Sequence, residues 1–160
     1  MANEIRQKQI AAVTFKASGG SAAFTLTSLG AAAGRKAASY DFTATFGAKV
    51  VVELLTKFAV SPVAGTTLDV YWCSSRDNSA FDAGQASSDA AFTNLDLNKQ
   101  LHYVGSLIAD DTTNAQQQSW LFYLPGRYGF PVVYNGTGQA LSATAGDHIL
   151  TVTRILDEVQ

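Results

Sequence analysis

The sequence predicts an all-β protein, an antiparallel β-sandwich of jelly-roll type with a long central loop. Three observations point there. Short segments alternate apolar and polar side chains with a period of two. Gly and Ser clusters separate those segments. The densest aromatic and β-branched run, SWLFYLPGRYGFPVVYNGTGQAL over Ser119 to Leu141, is too rich in turn residues to be helical.

Met1 to Gln9 is polar and of mixed charge. It reads as a mobile or partner-docking arm, with Arg6 and Lys8 as its candidate contacts, and a single domain spans 10–160. Strands are expected at Gln9 to Lys16, Ala22 to Ser28, Lys36 to Phe46, Lys49 to Val60 and Thr67 to Ser74. In the third, Tyr40, Phe42, Ala44 and Phe46 share one face and Asp41, Thr43 and Thr45 the other. In the fourth, Val52, Leu54, Phe58 and Val60 oppose Glu53 and Lys57. One wet and one dry side per strand means antiparallel sheets packed face to face, because strands buried on both faces read as continuous apolar runs. Ala31 to Gly34 is the one spot that suits a helical turn.

Ser74 to Gln100 breaks the rhythm as a long polar insertion. Phe81, Phe92, Leu95 and Leu97 within it are expected to pin it to the body. Strands resume at His102 to Ala109. In the aromatic run, Trp120, Phe122 and Leu124 share one face at the centre of a sheet, with Trp120 as the central aromatic of the core; Phe130, Val132 and Tyr134 follow after the Pro125-Gly126 turn, with Pro125 and Pro131 at strand margins. The last strand, Asp147 to Ile155, sets Ile149, Thr151, Thr153 and Ile155 against His148, Leu150, Val152 and Arg154.

Charged residues make up 15% of the chain, against roughly 25% in an ordinary soluble domain. The surface is therefore built from Ala, Ser, Thr, Gln and Gly, which cost little to desolvate against neighbouring subunits. A net charge of −2 with scattered Lys and Arg lacks the footprint of nucleic-acid binding. No apolar run reaches signal-peptide or membrane-spanning length, so the expectation is no membrane partner and residence where the chain is made. Cys73, the one cysteine, reads as a small half-buried apolar side chain beside Trp72.

The residue patterns offer no catalytic, cofactor or metal site. His102 and His148 lie beside apolar strand positions, and no nucleophile elbow accompanies the Ser, His and Asp residues. Asn94 to Asn98 imitates the start of a calcium loop, but Lys99 and Gly105 stand where glycine and an acidic ligand are required. Asp110, Asp111, Asp77 and Asp82 read as solvated loop carboxylates. Asn135-Gly136-Thr137 matches the glycosylation pattern but reads as a turn with positive φ at Asn135 and Gly136. Arg127 and Tyr128 sit at an exposed tip, as candidate partner contacts or simply as turn residues.

Taken in order, AGRKAASYDF, VSPVAGTTLDVYWCSS, KQLHYVGSLIAD, LPGRYGFPVVYNGTGQALSA and DHILTVTRI resemble tailed-bacteriophage virion structural proteins of the head decoration or accessory type. The most specific positions are Arg127, Tyr128, Gly129, Pro131, Val132, Val133, Asn135, Gly138, Ala140 and Leu141. The resemblance implies a non-enzymatic capsid decoration protein, made in the bacterial host cytoplasm and carried on the virion. Its expected partners are the major capsid protein and copies of itself, as a trimer. A carbohydrate-binding adhesion module on the virion exterior, through aromatics such as Tyr128, is the alternative, and a tail accessory protein a weaker one.

Overall fold

In the computed structural model, residues 5–9, 11–43, 49–93 and 100–159 are described, with only the backbone given for 5–8 and 156–159. They form β1 (Ile5–Gln9), β2 (Val13–Lys16), β3 (Ala22–Ala23), β4 (Ala33–Lys36), β5 (Tyr40–Asp41), β6 (Lys49–Thr56), β7 (Thr67–Ser75), β8 (Ala90–Phe92), β9 (His102–Ile108), β10 (Gln116–Tyr123), β11 (Tyr128–Asn135) and β12 (Ile149–Val159). Single 3-10 turns lie at Asp82–Gly84 and Ala145–Asp147.

Two sheets face each other. One runs β10-β6-β12-β2-β3, with β1 also on β12; the other runs β8-β4-β11-β7-β9, with β5 also on β11. The antiparallel pairs β2·β12, β4·β11, β6·β10 and β7·β9 nest inside one another along the chain. That nesting is one long antiparallel hairpin rolled onto itself, the arrangement of a jelly roll.

The alternation read from the sequence holds along β6, where Val50, Val52, Leu54 and Thr56 are buried and the residues between them half-buried. Val60 was expected on the same buried face, but it is 59% exposed because the strand stops at Thr56 and Phe58 keeps only an isolated bridge to Leu141. Tyr40 and Phe42 face inward as expected, while Ala44, Thr45 and Phe46 lie outside the described residues. The core joins Phe15 from one sheet to Trp72 of the other, ring centroids 6.1 Å apart, with Phe42 at 5.6 Å and Phe122 at 6.1 Å from the same indole.

Trp72, not Trp120, is the central aromatic. Trp72 is fully buried on interior strand β7, whereas Trp120 lies half-buried on β10, at the edge of its sheet. A Cβ at Gly105 would overlap the Trp120 indole, so this glycine lets the side chain close the gap between edge strands β9 and β10. Gly129 makes the same allowance for Trp72.

Several local expectations are corrected. Strand β11 is buried on both faces from Gly129 to Val133, because it lies between β7 and strands β4 and β5 and under the opposite sheet. Pro131 is therefore internal. Its carbonyl accepts from Ala37 N–H at 3.0 Å, and its missing N–H falls on that same side, in the break between β4 and β5. Ala31 to Gly34, expected to suit a helical turn, is not helical: Ala32 takes a positive φ of 55° and strand β4 begins at Ala33. Of Ala22 to Ser28 only Ala22–Ala23 is strand, and it runs parallel to β2.

The insertion after β7 is partly built into the fold: β8 extends the second sheet along β4, and Phe81 and Phe92 are buried. Asp89 fastens it by accepting from Thr25 N–H (3.1 Å), Thr25 Oγ1 (2.6 Å) and Arg35 Nε (2.6 Å). Leu95, Leu97 and the Asn94 to Asn98 segment lie outside the described residues. At the other end of the chain, Ile5–Gln9, read as an arm, forms a five-residue antiparallel ladder with 155–159 of β12.

Asn135 and Gly136 do not take positive φ; Gly138 does, at +77°. Asn135 is fully buried. Its Nδ2 donates to the carbonyls of Leu29 (3.1 Å), Gly30 (3.2 Å) and Gln139 (2.7 Å), and its Oδ1 accepts from Thr137 N–H and Oγ1. A buried amide that satisfies this many backbone groups is a structural tie and leaves no exposed amide for glycosylation.

Candidate functional site

The four candidate contact positions that the sequence singles out, Arg6, Lys8, Arg127 and Tyr128, lie at one end of the sandwich. Across the first sheet, Phe122 of β10, Val50 of β6 and Arg154 of β12 stand at one level. Beyond it lie the β10–β11 turn, the start of β6, and the β1–β12 ladder. From the second sheet, β7 ends and β11 begins at this same end, with Tyr128 paired to both Ser75 and Asp41.

The short turn from Leu124 to Arg127 exists because Gly126 fits against the Ser75 carbonyl, where a Cβ would lie 2.9 Å from the oxygen. It delivers Arg127 to Asp41. The guanidinium donates from Nε to Oδ1 (3.0 Å) and from Nη2 to Oδ2 (2.9 Å), a two-point pair, and stacks 4.9 Å above the Tyr128 ring. Hydrogen bonds from Arg127, then from the Thr43 hydroxyl, hold the Asp41 carboxyl well below the usual carboxylate range. Arg127 is exposed, but Tyr128 is half-buried rather than at an open tip, since β5 and β7 flank it.

Arg6 and Lys8 reach this end on β1, in register with Glu158 and Leu156. All four candidate contact residues thus belong to one end of the molecule. Their spacing in sequence hides this, because Arg127 comes from the β10–β11 turn and Asp41 from β5, 86 residues earlier.

Beside Arg127 opens a cleft of about 660 Å³, lined by Thr43, Ser75, Arg76, Phe81, Asp82 and Pro125 among others. Asp82 was read as a solvated carboxylate; instead it is half-buried and accepts from Ser74 N–H (2.8 Å) and Ser74 Oγ (2.6 Å). His102 Nε2 lies 3.6 Å from the same carboxylate. Ser, Asp and His therefore meet, but with the carboxylate in the middle. A nucleophilic triad needs the imidazole between hydroxyl and carboxylate, so Ser74 has no imidazole base here. Nothing in the sequence spacing signals this cluster, because its order is a product of the β7 turn-back.

Asp77 is exposed and turns the chain between Arg76 and Ala80. Its Oδ1 accepts from the N–H groups of Ser79 (3.0 Å) and Ala80 (3.3 Å), and these bonds bring its carboxyl down to about 2. Cys73 is fully rather than half buried, its Sγ donating weakly to the Asp82 carbonyl; burial and the nearby Asp82 charge push its thiol up to about 12, so no thiolate nucleophile forms near neutral pH.

At the opposite end, His148 is buried. Its Nε2 faces the Ser142 carbonyl at 2.9 Å and must donate, which leaves Nδ1 to accept from the Thr56 hydroxyl at 2.8 Å. Among the described residues, no group of three or more His, Cys, Asp or Glu side chains is placed to hold a metal ion, and no helix is long and apolar enough to cross a membrane. The chain matches no protein-family model and no curated protein.

Proposed function

We propose that this jelly roll is a capsid decoration protein of a tailed bacteriophage, a non-enzymatic part of the virion that binds the outer surface of the assembled head and reinforces it. The observation that carries this reading is the gathering of Arg127, the two-point Asp41 pair, the cleft and the β1–β12 ladder with Arg6 and Lys8 at one end of a sandwich whose chain is only 15% charged. Such an end offers fixed polar contacts set in a surface that is cheap to desolvate. The ordered motifs from AGRKAASYDF to DHILTVTRI support the same family of particle proteins.

The mechanism is geometric. A subunit that touches several capsid proteins at once binds through contacts that act at high effective concentration only when the lattice holds those proteins together. Its binding free energy then adds to the stability of the lattice by linkage.

Co-sedimentation tests this reading. The protein is expected to pellet with empty expanded heads and to bind free capsid subunits at least about a hundredfold more weakly. Reversing both Arg6 and Lys8 to Glu, without deleting the strand that carries them, is expected to lower head occupancy. Failure to pellet with heads, together with retention on a host-polysaccharide column, would replace this function with the adhesion module.

A further inference from the structure

The outer face of the β10-β6-β12 sheet is an unusual surface for water. In antiparallel strands, residues directly opposite one another share a face. The outward rows are therefore Tyr123 with Lys49; Leu121, Val51 and Thr153; Ser119, Glu53 and Thr151; and Gln117, Leu55 and Ile149. Leu121 is 55% and Tyr123 64% exposed, and the outward residues of the two inner strands are half-buried only by their neighbours. A solvated sheet face is ordinarily polar and charged. Here aliphatic and Thr side chains dominate, and Lys49 and Glu53 are the only charges in these rows. Neither makes an ion pair among the described residues.

The placement of those two charges singles out an occupant. Lys49 and Glu53 lie on the same strand, one row to each side of Val51. We infer that this face pairs with the same face of a second copy, about a twofold axis that lies between the two sheets and crosses the strands at the Leu121–Val51–Thr153 row. That axis reverses strand direction and keeps strand order, so it sets β6 on β6. Val51 then meets its own copy, Leu121 does the same, and each Lys49 stands opposite the Glu53 of the partner.

Sheets packed face to face lie about 10 Å apart and cross at about 30°, which shifts residues two positions from the crossing by only about 3 Å sideways. Lys and Glu side chains span that gap. A twofold axis along the strands would instead set Lys49 against Lys49 and Glu53 against Glu53, a juxtaposition that electrostatic complementarity disfavours. The charge pattern thus selects both the partner and its direction, and it makes the contact isologous. This pairing is independent of the capsid reading, and it gives self-association a twofold geometry in place of the threefold one that the resemblance implies.

Sedimentation equilibrium on the full chain tests it. The wild type is expected to dimerise at micromolar concentration. Lys49→Glu alone and Glu53→Lys alone should each weaken the dimer about tenfold or more. An equimolar mixture of the two variants should recover it, because one then presents two acids to the other's two bases. The double exchange K49E/E53K should also dimerise like the wild type. A Val51→Cys variant should be joined between copies by a short bismaleimide, since Cys73, the other thiol, is buried.

Matched melting temperatures across the set would confirm that these outward substitutions leave the fold intact, and the Val51→Cys cross-link reads the same contact in the native charge background. A monomer at all concentrations overturns the inference. So does an oligomer of any order that is indifferent to the reversals, or a mixture that fails to recover association.

Discussion

His148 and Asn135 show how much one side chain decides here. Burial is the largest influence on His148 and favours the neutral ring; the Ser142 carbonyl and the Asp147 charge oppose it without reversing the outcome, so its pKa is lowered from the ordinary value near 6.5. Between the lowered folded value and the unfolded one, the unfolded chain binds more protons. Stability must therefore rise with pH across that window. His148 contributes its full share above the unfolded pKa and loses it as pH falls toward the folded one. Denaturant titrations at pH 7.5, 6.5 and 5.5 are expected to show falling stability, and His148→Gln, which keeps one acceptor and one donor, is expected to flatten that slope whatever it does to the absolute value. Asp89 titrates in a different range. Burial would raise its pKa, but bonds from Arg35 and from Thr25 outweigh it, so its contribution is present above the usual carboxylate value and is lost only in acid below that.

At the scale of the strand, the packing of edge strand β9 against edge strand β10 across the open flank of the sandwich rests on Trp120 lying against Gly105. The sequence pattern places Trp120, Phe122 and Leu124 on one face, and that is where they are; it does not tell an edge strand from a central one, because both alternate in the same way. Gly105→Ala is expected to cost about 1–3 kcal/mol, because the added methyl must displace the indole. Trp120→Ala should cost less than the about 3–5 kcal/mol typical of a fully buried aromatic. The two costs should not add: with the indole gone the alanine methyl has room, and most of the Gly105→Ala penalty should vanish. A double-mutant cycle by denaturant titration measures this, and full additivity would mean the two positions do not touch.

For the molecule as a whole, one core spans both sheets, with Phe15 and Phe122 reaching from one sheet to Trp72 in the other. Unfolding should be a single cooperative transition seen together by fluorescence and far-UV circular dichroism. Removing Met1 to Gln9 deletes β1 and its five-residue ladder but none of the core residues. The truncated protein is expected to remain folded and cooperative, with a lowered melting temperature. An unchanged melting temperature would mean that the ladder adds nothing to stability in solution, and loss of cooperativity would mean that β12 depends on β1 to hold its place.

The sequence by itself determined the fold class, the antiparallel habit of the strands and the inward faces of β6 and β10, because a period of two is a local property that survives without knowledge of neighbours. It also showed that the insertion after β7 is anchored through Phe81 and Phe92, since large apolar side chains rarely stay in water when a core is near. Only the tertiary structure decided which indole is central, that Asn135 is an internal tie, that β11 is buried on both faces around an interior Pro131, and that Ile5–Gln9 pairs as a strand. The same holds for the end where Arg127 meets Asp41 and Ser74 meets Asp82. Each of these depends on contacts between residues far apart in the chain, and the physical reason is the rolled hairpin: its nested pairing brings the two halves together by backbone hydrogen bonds, which carry no trace in the order of side chains.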